Sequence, residues 1–271
     1  MRVAVVGHVE WIRFCHVETM PARGEIAHSG DDWEQVGGGG GVAAIQLARL
    51  GAETMFFTAL GDDELGRRSR EELEAAGVQV HADTVAAPQR WAFTHVDDTG
   101  ERTITTVGRK LRPRGNDEDL PWHELAATDA VFFVAGDEDA LRRARRARVL
   151  VATSREIEVL RRGGVQLDAL VGSGRDEAER YQPGDLDPAP DLVVSTSGSL
   201  GGWSQPGGPF AAASIPGPIV DAYGAGDCFA AGLTYALGAG EPPAEAIAFA
   251  AKCGAAALTG RGVAPHAVAH G

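Results

Sequence analysis

The stretch IVDAYGAGDCFAAGLTYALGAG, Ile219–Gly240, puts one carboxylate, Asp227, directly after a Gly-Ala-Gly turn and at the head of an apolar run that reads as a helix. Two roles suit a carboxylate in that position. It can cap the helix, accepting from orphan N–H groups and meeting the positive end of the helix dipole. Alternatively, the turn itself is the site. Small residues entering a helix aim several N–H groups at one point, an arrangement suited to an anion. A carboxylate beside a bound anion is repulsive unless it takes a proton from a neutral nucleophile that attacks that anion, which is the logic of phosphoryl transfer to a hydroxyl. On this reading Gly224, Ala225 and Gly226 form an anion hole and Asp227 is the general base.

Outward from this stretch, strands and helices alternate. RVAVVG, ETMFFTALG, DAVFFVAG, RVLVAT, LDALVG and DLVVSTSG are short apolar runs, several ending in Gly, as parallel strands buried on both faces do. Between them lie the helical patterns GVAAIQLARLG, stopped by Gly51, DDELGRRSREELEAAGV, stopped by Gly77, and DEDALRRARR. The alternation predicts one α/β domain over 1–271, with ligands at the carboxyl ends of the strands. Two segments break it. Residues 9–36 and 88–110 carry β-hairpin patterns, the second around an Asp-Asp-Thr-Gly turn, and predict a small β-lid inserted in the α/β body.

The glycine run Gly37–Gly41 feeds an apolar helix, which fits close backbone approach to a ligand better than a flexible linker. No Gly-Lys-Ser/Thr follows it, so it is not a P-loop, and GAGDCFAAG lacks the third glycine of a dinucleotide fingerprint. A net charge of -13 argues against nucleic acid as the main partner. The cysteines Cys15, Cys228 and Cys253 are odd in number and widely spaced, which supports neither a disulfide framework nor a zinc site. The eight histidines are scattered without metal-ligand spacing. With no signal-peptide pattern at the start and no membrane-length apolar segment, the expected location is the cytoplasm.

At this point a resemblance can be stated: the chain resembles the ribokinase-like, PfkB-type carbohydrate kinases. DAYGAGD, Asp221–Asp227, is similar to the family's C-terminal signature at every fixed position except Ala222, which stands in place of Thr. GGGGGVAAIQLARLG is similar to the N-terminal signature, and ALGDDELG and TSGSLGG, Thr196–Gly202, look like two further family segments. The resemblance implies a three-layer sandwich with a mostly parallel central sheet and a β-lid over the sugar, shared across a homodimer. It implies transfer of the γ-phosphate of ATP, with Mg²⁺ and with K⁺ as a second candidate ion, to a hydroxyl of a small sugar or sugar-like molecule. Asp227 would be the base and Gly224–Gly226 the anion hole. Ser197, Gly198 and Gly201 would line the nucleotide site, and Asp221 would help hold a monovalent cation or the nucleotide end.

The departures from the pattern bear on the acceptor. Ile12, with Glu10 nearby, stands where the family uses an Asp to hold sugar hydroxyls, and Val42 stands where it uses an Asn; Gly38 and Gly39 complete the expected acceptor side. The Asn-x-x-Glu element that orders Mg²⁺ and phosphate is represented by Ser173 and Asp176. The sequence closes on GRGVAPHAVAHG, where a final helix is the rule, so that helix is expected to be absent or residual. An apolar wall at Ile12 and Val42 is expected to disfavour plain ribose. The missing Asp and Asn make a nucleoside or heterocyclic-alcohol kinase one alternative, and the altered Asn-x-x-Glu element with the short closing segment makes a non-catalytic ligand-binding regulator another. Arg13, Arg90 and Arg109, near the lid, are candidates for gripping an acidic acceptor.

Overall fold

The computed structural model describes residues 1–264 and 268. The expectation about the closing segment falls mainly on residues 265–271, which, apart from Val268, lie outside the described residues.

The body is built from β1 (Arg2–Val6), α1 (Gly38–Arg49), β4 (Glu53–Gly61), α2 (Glu64–Ala75), β5 (Val78–Val85), β8 (Ala130–Phe133), α3 (Glu138–Ala144), β9 (Val149–Thr153), α4 (Ile157–Gly163), β10 (Ala169–Ser173), β11 (Leu192–Thr196), β12 (Gly202–Gln205), β13 (Gly208–Phe210), α5 (Ala225–Ala239) and α6 (Pro243–Ala257). The sheet has nine strands in the order β13-β12-β11-β10-β9-β8-β1-β4-β5. From β11 to β5 every pairing is parallel, and the edge adds two antiparallel pairings, β11–β12 and β12–β13. Period-two alternation divides the core between two faces. Val3 and Val5 of β1 and Phe132 of β8 belong to one cluster with Leu47, Cys228, Phe229 and Phe249 of α1, α5 and α6. Ala4 and Val6 of β1 and Phe133 of β8 belong to the other, with Leu141 and Leu160 of α3 and α4. The result is the predicted α/β three-layer sandwich.

All six apolar runs are strands of this sheet, but β5, the β12–β13 edge, α4 and α6 add to what the alternation suggested. The helix expected from Gly41 begins at Gly38, inside the glycine run, because Gly38 takes the left-handed φ of 76° that turns the chain into it.

The lid is a second sheet of β2 (Glu10–Val17), β3 (Asp32–Gly37), β6 (Trp91–Asp97) and β7 (Arg102–Val107), ordered β3-β2-β6-β7. The two predicted segments meet through parallel pairing of β2 with β6, Trp11 opposite Trp91 through to Val17 opposite Asp97. The first hairpin is looser than its pattern suggested, since no strand forms between β2 and β3. Phe14 of β2 stacks on Trp33 of β3 at 4.6 Å between ring centroids, and Arg261 covers the far side of Trp33 at 3.6 Å.

Candidate active site

The strands' carboxyl ends, the lid and the amino ends of α1 and α5 converge on one place. Gly224 has a left-handed φ of 72°, and a Cβ there would lie 2.9 Å from Val42 Cγ1, so glycine is required both by conformation and by space. The first N–H groups of a helix have no carbonyl above them. Here Cys228 is the first residue of α5 to bond back, to the Gly224 carbonyl at 2.8 Å, and the amides of Ala225, Gly226 and Asp227 precede it.

Asp227 is the third residue of α5, and among the described residues no hydrogen bond or ion pair engages its carboxylate. Its carboxylate is free for other work. Burial pushes its pKa up to about 6; Arg102 of the lid and Arg155 pull against that shift, while Glu179 and Glu10 reinforce it. The glycine run presses close. A Cβ on Gly39 would lie 3.0 Å from Asp227 Oδ1, and one on Gly40 would lie 2.6 Å from the His8 carbonyl. Tyr223, buried just before the turn, accepts from the Gly38 amide at 3.0 Å through its hydroxyl and meets Phe14 edge-on at 5.1 Å.

On the side where the sequence places the acceptor, the structure groups Glu10, Arg90 and His8, with the cluster of Lys110, Arg112 and Glu156 acting on His8 and Glu10. Arg90 Nε lies 2.7 Å from Glu10 Oε1, and His8 Nε2 lies 3.8 Å from the same oxygen. Buried Glu156 takes both Lys110, at 3.3 Å, and Arg112, at 3.2 Å. Burial holds His8 well below the usual imidazole range, helped by Lys110, Arg90 and Arg112, so the ring is neutral. Ile12 and Val42 have no exposed surface. They back the glycine turn instead of presenting the open apolar wall expected from the sequence, because Ile12 packs under Gly37 and Val42 under Gly224. Arg13 faces away, pairing with Glu34 at 3.0 Å and covering Trp91. Arg109 is exposed beyond the end of β7.

On the opposite side, the ends of β10 and β11 carry the residues expected near the nucleotide. The Ser173 amide donates to Glu179 Oε2 at 2.8 Å, and Asp176 caps the short turn Glu177–Glu179 while pairing with Arg155 at 2.8 Å. Arg155 also pairs with Glu179. Ser197, Gly198 and Gly201 form an open turn after β11, with the Arg175 guanidinium against Gly198. Asp221 is fully buried and accepts from the amides of Tyr223 at 2.7 Å and Gly262 at 2.9 Å, so both oxygens tether backbone.

His8, Arg102, Arg155, Glu156 and Glu179 are residues of the candidate site that the motifs did not single out. His8 directly follows the Gly that ends the first strand, and Glu179 lies three residues after Asp176, so strand-end position was the available signal for both. Arg102 had none, because a lid strand's reach over α5 exists only in three dimensions.

A family model described as pfkB family carbohydrate kinase matches residues 1–149 and 137–268. An ATP-dependent ribose-1-phosphate kinase of Halopiger xanaduensis is 25% identical over 94% of this chain and 91% of its own length. A fructokinase of Salmonella typhimurium is 28% identical, covering 83% of this chain and 86% of its own. The crystal structure of a ribokinase from Thermotoga maritima superposes with a TM-score of 0.77 at 21% identity, over 97% of this chain and 95% of that one.

Proposed function

The chain belongs to the pfkB family of carbohydrate kinases, and from that premise we propose that it transfers the γ-phosphate of ATP to a hydroxyl of a sugar or sugar-like acceptor with Asp227 as general base. The observation that carries this reading is the partly buried Asp227 carboxylate, engaged in no hydrogen bond among the described residues, beside the amides at the head of α5. A proton acceptor poised near neutrality, next to fixed N–H donors, is what an attacking alcohol and a transferring phosphoryl group require. Asp227 would take the hydroxyl proton as the oxygen attacks, and the Gly224–Gly226 turn would hold the charge on the transferring group. Arg102, which acts on Asp227 from the lid, would add positive charge over the same point.

ATP as the donor is supported by the ATP-dependent relative. Mg²⁺ supplies charge neutralisation of a triphosphate, and it is ordinarily held by one or two carboxylates together with the phosphates. Asp176 and Glu179, at the end of β10, are the carboxylates of this chain that fit such a role, and K⁺ would lie toward Asp221. Assembly through the lid belongs to the same reading. Strand β7 is exposed along its whole length, with Ile104 and Val107 at 40% and 38%, and a second copy would cover it.

The direct test is a phosphorylation screen with Mg-ATP over sugars, sugar phosphates, sugar acids and nucleosides. Acceptor-dependent ADP release with a phosphorylated product supports the reading, and ligand binding without turnover on any acceptor refutes it.

A further inference from the structure

Directly after lid strand β7, residues 108–114 return the chain to the body, and the buried side chains of Leu111 and Pro113 peg this segment by apolar contact. The residues beside them, Lys110 and Arg112, both reach Glu156 in the turn Ser154–Glu156 that follows β9. Glu156 is only 5% exposed, and each of its oxygens takes a different cation, Oε1 the Lys110 ammonium and Oε2 the Arg112 guanidinium. A buried carboxylate is costly to desolvate, and an apolar side chain of similar size would hold the segment about as well. The apolar pegs are already in place. What the ion pairs add is a fixed seat for two positive charges.

Those charges act on one cluster. Lys110 and Arg112 act on His8, and Lys110 joins Arg90 in opposing the burial that raises the Glu10 pKa. The turn that carries Glu156 is itself well anchored. Ser154 Oγ donates to the Glu179 carbonyl at 2.7 Å, and Arg155 pairs with Asp176 among the residues expected near the nucleotide.

We propose that Glu156 is a positioning residue for acceptor binding: it seats the Lys110 ammonium at the cluster of His8, Glu10 and Arg90, so that Glu10 meets an acceptor hydroxyl as a fixed hydrogen-bond acceptor. The inference deepens the kinase reading above and rests on it for turnover only; the effect on acceptor affinity stands without it.

The test compares Glu156→Gln, Glu156→Asp, Lys110→Met and the pair Glu156→Leu with Lys110→Met. The paired variant leaves no buried unpaired charge, because exposed Arg112 can turn to solvent, so it keeps the test open where Glu156→Gln fails to fold. Fructose, ribose and adenosine serve as probes, by calorimetry without nucleotide and by steady-state kinetics with Mg-ATP. The parent should bind at least one of them. For that probe Glu156→Gln and Lys110→Met should each weaken binding and raise KM about tenfold, with kcat and the KM for ATP changing less than about threefold. Glu156→Asp should regain most of the loss, and the paired variant should be no worse than Lys110→Met alone, since both act through one ammonium. A folded paired variant that binds like the parent, a paired loss larger than that of Lys110→Met, a fall in kcat with KM unchanged, or a parent that binds none of the probes overturns the proposal. Turnover by the parent with unaltered KM in the variants sinks the positioning role and leaves the kinase. Acceptor binding that weakens in the variants, with no turnover by the parent, supports the positioning role and refutes the kinase reading.

Discussion

Asp227 combines burial with a carboxylate that makes no hydrogen bond among the described residues. Asp227→Asn is expected to lower turnover by about 10² to 10⁴, the range for a lost general base, in steady-state assays. Stability should move the other way. A carboxyl whose folded pKa is raised to about 6 destabilises the fold while ionised, so its contribution is most favourable below the unfolded value and is lost as pH rises through about 6. Melting at pH 8 should therefore show Asp227→Asn no less stable than the parent; a clear drop in Tm there would mark Asp227 as structural. Activity of the parent should fall about tenfold per pH unit below about 6, because the base must be unprotonated. The sequence carried this residue and its turn plainly, since a Gly-Ala-Gly-Asp at a helix head has few uses. It could not carry Arg102 or Glu156, whose neighbours come from distant segments.

Between elements, Tyr223 is the part that joins. Its hydroxyl holds the Gly38 amide and its ring meets Phe14, so the head of α1, the turn before α5 and lid strand β2 share one side chain. Tyr223→Phe leaves that buried amide without an acceptor, at a cost of about 1–3 kcal/mol. Denaturant unfolding should show this loss, and turnover should fall as well, because Gly39 rests against Asp227. Unchanged stability would mean that water replaces the phenol. The glycine run announced close approach in the sequence. What the glycines approach was not legible: Gly38 meets Glu10, Gly40 meets His8 and Gly224 meets Val42, contacts between residues far apart in the chain. The same reason displaced Ile12 and Val42 from cleft surface to core.

For the whole molecule, six of the seven parallel strands and their three-layer packing were readable because apolar runs and glycine stops are local signals. The lid's pairing was not, because parallel contact of β2 with β6 joins segments separated by α1, β4, α2 and β5. An exposed β7 edge predicts a homodimer, and light scattering at micromolar concentration should give twice the chain's 28.3 kDa. A monomer with and without acceptor would refute lid-mediated assembly.

Strand β3 ends at Gly37 and α1 begins at Gly38, with no connecting loop. If the proposed centre works with a moving lid, a lid that swung away would carry the Gly38–Gly41 backbone with it and draw it from Asp227. An open cleft would then hold a disassembled catalyst, and a closed one would exclude water. Such a linkage would guard the nucleotide against idle hydrolysis by geometry alone, making an occupied acceptor seat the condition for reaction.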